Sequence, residues 1–251
     1  FMRLRWVSLA IALGLMLVAM YLAGRAVWGE VVARRAVLML GTSLGFLIGG
    51  QYVNHDMVVA AWIGVAIWCF AGALQREPRA GAALARWGFV ACALALLSKG
   101  LIGIVLPGGV IFFWLLATRR LKRLLQLPWA SGLALFALIA LPWFVSQQRQ
   151  FPGFFDYLII GQHFGRFTGG TYNNQHGAWF YPLALLVMLP WSVVAVAGAW
   201  RWLHALVRRE PATGPAADRW GALLWSWLLV ILVFFSLPRS KLVGYILPVL
   251  P

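Results

Sequence analysis

Stretches of about twenty apolar residues recur along this chain, near 6–24, 37–53, 57–74, 127–146, 179–200 and 220–236, with another opening at 242. A helix needs about that length to cross the hydrocarbon core of a bilayer. The composition agrees: 63% of residues are hydrophobic and only 11% charged, where soluble domains run nearer half and a quarter. The expected fold class is therefore all-α, a polytopic transmembrane helix bundle forming part of a single transmembrane domain. The first residue is Phe1 and the last, Pro251, falls in an apolar run, so both ends are expected to continue in a longer protein.

The stretch 87–117 is too long for one crossing, and Ser98-Lys99-Gly100 interrupts it. It reads as two helices, the first short, meeting in a tight turn. That brings the expected spans to about nine, and the basic residues test the division. With nine spans, one side collects Arg25, Arg34, Arg35, Arg76, Arg79, Arg86, Arg119, Arg120, Lys122, Arg123, Arg201, Arg208, Arg209 and Arg219. Those are fourteen of the 21 Lys and Arg, which marks that side as cytoplasmic. A single span over 87–117 would put Arg119–Arg123 outside and destroy the asymmetry. The net charge of +15 is thus explained by orientation and anionic head groups, and no nucleic-acid partner is expected. Cys69 and Cys92 lie inside apolar runs without metal-type spacing and read as free thiols.

Chemistry is expected on the other side. Asp56, in Asn54-His55-Asp56-Met57, stands where one span ends and the next begins. An ionisable group there is costly unless it faces protein or water. It can cap the following helix, serve an active site, or both. His163 and Arg166, in Gly161-Gln162-His163-Phe164-Gly165-Arg166-Phe167, share a helical face by spacing and suit a phosphate or carboxylate, although an interfacial helix with polar tips has the same pattern. They lie in 147–178, the longest outward loop, which is rich in aromatics and Gly. Lys99 and Lys241 sit at outward helix ends, where lysines commonly snorkel. With Arg166 they form an outward set of cations that topology does not require, suited to a lipid-linked phosphate leaving group. His204 reads as a snorkelling residue. There is no Gly-rich phosphate loop and no Ser-His-Asp arrangement.

The motifs His55-Asp56-Met57, Leu97-Ser98-Lys99-Gly100 and His163-Phe164-Gly165-Arg166-Phe167 occur in this order. They are followed by His176 with Trp179-Phe180-Tyr181-Pro182, by Leu189-Pro190-Trp191, and by the segment from Ser240 to Pro248. The series resembles the ArnT-like bacterial glycosyltransferases, which attach 4-amino-4-deoxy-L-arabinose to lipid A and are related to protein O-mannosyltransferases. The resemblance implies a GT-C fold. It makes Asp56 the second family acid, hence the catalytic candidate. It also brings Lys99, His163, Arg166, Lys241 and Tyr245 to the donor phosphate. The family's first outward loop, with its paired acidic motif, and its soluble C-terminal domain are both missing from residues 1–251. The fragment alone is therefore expected to be inactive.

The function implied is transfer of a sugar from undecaprenyl phosphate to lipid A, at the periplasmic face of the bacterial inner membrane. Protein or another envelope glycan is the alternative acceptor. No cofactor is required, while a structural zinc or other divalent metal would use His163. A lipid or solute transporter is the rival from another class. It would be expected to carry polar groups or broken helices near the midplane, whereas here the ionisable residues gather at the span ends.

Overall fold

A chain with this many apolar runs must satisfy its backbone polar groups internally, which in a bilayer means helices. The structure is a computed structural model describing residues 2–51, 55–156, 176–177, 179–181, 185–207, 215–238 and 241–250. Its α-helices are α1 (Met2–Trp28), α2 (Glu30–Gly41), α3 (Leu44–Gly49), α4 (His55–Leu74), α5 (Pro78–Lys99), α6 (Ile102–Ala117), α7 (Trp129–Gln150), α8 (Ser192–Val207) and α9 (Pro215–Ser236). Short 3-10 helices cover Leu121–Gln126, Leu185–Met188 and Val243–Val249. Five helices among the described residues are long and apolar enough to cross a membrane: Trp6–Trp28, His55–Leu74, Pro78–Lys99, Trp129–Gln150 and Arg219–Ser236. The all-α bundle expected from the sequence is what forms.

Helix α4 is the axis. It is apolar on every side, as a helix surrounded by others should be, and thirteen of its twenty residues are buried. Around it pack α1, α5, α6 and the 243–249 segment. The outer helices α1 and α7 instead turn Leu, Val, Ile and Trp outward, a surface that lipid covers and water would not tolerate. Small residues bring the central helices close. An added Cβ at Gly103 of α6 would lie 2.5 Å from the backbone of Ala95 and Leu96 in α5.

The turn at 98–100 forms as expected. Gly100 ends α5 with φ +87, a value that favours glycine, and its N–H donates to the Leu96 carbonyl at 2.7 Å. The preceding helix is not short, however. It starts at Pro78 because a proline suits the first helical turn and the Ala- and Gly-rich run that follows packs onto α4.

Three other expectations change. The span placed at 37–53 begins earlier, at Glu30, and is broken into α2 and α3 at Thr42-Ser43. Gly24 of α1 lies against Ala33, and Gly50 against Leu13, so the two pieces run antiparallel to α1. At the break the Ser43 hydroxyl accepts from the Phe46 N–H (3.3 Å) and donates to the Leu40 carbonyl (2.8 Å). Leu44 N–H donates to the Leu189 carbonyl (2.9 Å), and Trp191 Nε1 to Thr42 Oγ1 (2.8 Å). The span placed at 179–200 is not one helix either. Pro190 has no N–H and disfavours helical backbone before it, and α8 starts at Ser192. Finally, the apolar segment from 242 forms the 3-10 helix Val243–Val249 rather than the start of a span. It is held in the core by Trp227 Nε1 donating to the Pro248 carbonyl at 2.7 Å.

Replacing Gly103 by Val should force α6 away from α5 and destabilise the bundle by about 1–3 kcal/mol. A lowered thermal midpoint in detergent would show it. Gly108→Ala, where an added Cβ meets nothing within 4 Å, serves as the unaffected control.

Candidate active site

Because α4 and α5 run antiparallel along their length, the first turn of α4 meets the last turn of α5. This places Asp56 beside Lys99, and Oδ1 of the carboxylate pairs with Nζ of the ammonium. Both side chains keep partial access to solvent, 14% for Asp56 and 24% for Lys99. Asp56 lies in the first turn of α4. It stands one residue inside, where a carboxylate also complements the positive end of the helix dipole.

The 243–249 segment completes the cluster. Lys99 Nζ lies 4.3 Å from the centroid of the Tyr245 ring, a cation–π distance. An added Cβ at Gly244 would be 2.6 Å from Asp56 Oδ2, so the carboxylate rests directly on that glycine. The segment's approach is fixed by Tyr181, a fully buried side chain. Its hydroxyl accepts from the Leu242 N–H (3.3 Å) and donates to the Leu242 carbonyl (3.2 Å).

Lys241 is 3% exposed. Its ammonium donates to the carbonyls of His176 (3.0 Å) and Pro238 (2.5 Å), and burial pushes its pKa below the ordinary lysine value. Asp56, Lys99 and Tyr245 are thus brought together, while Lys241 anchors the strand of chain leading to them. His163 and Arg166 lie outside the described residues. His204 is exposed and lies beside Trp200, with ring centroids 5.4 Å apart. Among the described residues no group of three or more His, Cys, Asp or Glu is placed to hold a metal ion. Sequence reasoning gave no role to Gly244 or Tyr181. Both stand inside motifs it quoted, but a missing Cβ and a tyrosine bridging one backbone residue leave no mark in composition or periodicity.

The bundle has the GT-C type of membrane glycosyltransferase fold, as its likeness to a solved structure shows. The crystal structure of ArnT from Cupriavidus metallidurans bound to undecaprenyl phosphate is similar, with a TM-score of 0.83 and 28% sequence identity over 98% of this chain and 43% of that one. The same protein's apo crystal structure matches with a TM-score of 0.79. The chain belongs to the dolichyl-phosphate-mannose-protein mannosyltransferase family, whose model matches residues 1–158. Among curated relatives, the undecaprenyl phosphate-alpha-4-amino-4-deoxy-L-arabinose arabinosyl transferase 2 of Pseudomonas fluorescens is 31% identical over 96% of this chain. The corresponding transferase of Pseudomonas paraeruginosa is 31% identical over 97%. The chain spans 42% and 43% of the lengths of these two relatives.

Asp56→Asn and Lys99→Met should each lower thermal stability in detergent, and the double variant should lose less than their sum. A double-mutant cycle should return a coupling of about 0.5–3 kcal/mol; strictly additive losses would show that the two groups do not interact.

Proposed function

We propose that the whole protein is a glycosyltransferase that moves 4-amino-4-deoxy-L-arabinose from undecaprenyl phosphate to lipid A. Its seat is the bacterial inner membrane, and its active site faces the periplasm. The observation that carries this reading is the convergence of Asp56, Lys99 and Tyr245 at one rim of the bundle, in a chain whose solved neighbour is bound to undecaprenyl phosphate. The excess of basic residues at the opposite end supports the orientation.

In this mechanism an acceptor oxygen attacks the anomeric carbon. The bond from that carbon to the phosphate oxygen breaks, its electrons remain on the phosphate, and the configuration inverts. Lys99 stabilises the departing phosphate, and Tyr245 holds the ammonium from below. Arg166 and His163 add donors from the outward loop. Lys241 has three N–H donors and uses two on carbonyls; the third is assigned to the phosphate. Asp56 is the catalytic carboxylate: it aims Lys99 and takes the proton when the acceptor is a hydroxyl. A lipid A phosphate is already ionised and gives up no proton, so with that acceptor the positioning role of Asp56 remains. A second reading, transfer to a protein hydroxyl, is favoured by the family model itself and would make Asp56 a general base.

Cells carrying the whole protein should show the aminoarabinose mass increment on lipid A by mass spectrometry, and deletion should remove it. Lys99→Met should cut transfer by about 10²–10³-fold, and Asp56→Asn should fail to restore the increment at normal expression. An unchanged lipid A profile on deletion would redirect the acceptor to protein or glycan. No metal is assigned to the transfer step, because the leaving charge already has cations to meet it. Treating the purified enzyme with EDTA should therefore leave turnover unchanged, and a loss restored by zinc in wild type but not in His163→Ala would assign a metal at His163.

A further inference from the structure

At the end of the bundle remote from Asp56, a second polar cluster takes no part in the proposed transfer. Gln75 and Arg76 follow α4, Arg119 to Arg123 follow α6, and Arg219 stands in the first turns of α9. Arg120 Nη1 donates to Gln75 Oε1 at 3.3 Å. Arg123 Nη1 donates to the Leu74 carbonyl at 3.1 Å and the Arg76 carbonyl at 3.3 Å. These bonds gather guanidinium groups at the C-terminal end of α4, where helix carbonyls attract cations. Arg120 feels the crowding: burial, and then the charges of Arg123 and Arg219, push its pKa below the ordinary arginine value. Arg76, Arg120 and Arg123 have no carboxylate partner among the described residues. Beside them Gln75 Nε2 is buried without a hydrogen-bond partner.

A groove of about 500 Å³ opens against this cluster, walled by α1, α4, α5 and α9. Leu15, Val18, Leu22, Val65 and Trp68 make its apolar wall, and Gln75 with Arg76 forms its polar end. An apolar channel ending in clustered cations is complementary to a molecule with a fatty chain and an anionic head. Basic pockets between transmembrane helices are suited to such lipids. We propose that this groove binds an anionic glycerophospholipid of the adjacent leaflet, one acyl chain lying along α1 and α4 and the phosphate held by Arg76 and Arg120. The site is distinct from the donor site, because α4 separates the two ends by roughly 30 Å.

The test uses the full-length protein, purified in neutral detergent and offered equimolar phosphatidylglycerol and phosphatidylcholine, with retained lipid read by native mass spectrometry. Wild type should retain phosphatidylglycerol several-fold over phosphatidylcholine. R76Q/R120Q should lose that preference, and R76K/R120K should keep most of it. Because the arginines also bond to the protein, a second variant leaves them intact. Val18→Trp, at a half-exposed position on the groove wall, should fill the channel and reduce phosphatidylglycerol retention while elution stays monodisperse. Equal retention of the two lipids by wild type, or an undiminished preference in R76Q/R120Q, would overturn the proposal. So would full displacement of the lipid by millimolar inorganic phosphate, which would make the cluster a simple anion site.

Discussion

Opposite charges at the edge of a hydrocarbon layer attract more strongly than in water, and leaving either one without the other is expensive. Asp56 and Lys99 make such a contact, and much of this rim is arranged around it. The pair ties the start of α4 to the end of α5 and closes the long hairpin that forms the centre of the bundle. The turn at Gly100 then sends the chain back as α6, against α5. The Val243–Val249 segment fits over the pair because residue 244 has no side chain, and the next residue supplies the aromatic face beneath the ammonium.

The supports of this arrangement are backbone bonds made by buried side chains. Tyr181 bridges both polar groups of Leu242, Lys241 collects two carbonyls, and Trp227 holds Pro248. In a low-dielectric setting each of these is costly to lose. They explain how a 3-10 stretch with few helical bonds of its own is kept in register with the ends of α4 and α5. The break at Thr42-Ser43 follows the same logic, its backbone groups being taken up by hydroxyls and a neighbouring carbonyl, while an indole N–H donates to the Thr42 hydroxyl.

Much of the bundle was legible in the sequence. The apolar runs at 57–74, 127–146 and 220–236 gave their helices because burial in lipid or protein needs only length and apolarity. Ser98-Lys99-Gly100 gave the turn because a charge and a glycine interrupted a run too long for one crossing. What escaped was set by tertiary contact. The stretch from 78 to 86 carries Arg79 and Arg86 and read as a loop, yet its alanines and glycines pack on α4. The run after 242 is as apolar as a span, and periodicity does not separate a 3-10 helix from an α-helix there; Gly244 and Pro248 were the available hints. At the site, Asp56 and Lys99 were each singled out by position, but their pairing depends on the hairpin. Tyr245 was reached only through the family resemblance.

Helix α4 is held at both ends, by the Asp56–Lys99 ion pair at one and by Arg120 and Arg123 at the other. A rod fastened this way can neither slide along the membrane normal nor turn about its own axis. Each residue of an α-helix advances the rotation by about 100°. Insertion or deletion of a single residue between the two fastenings would therefore keep both at the rims of the bundle but swing one of them away from its partners. Substitution can alter this helix in many ways, whereas its length, counted in residues, is locked.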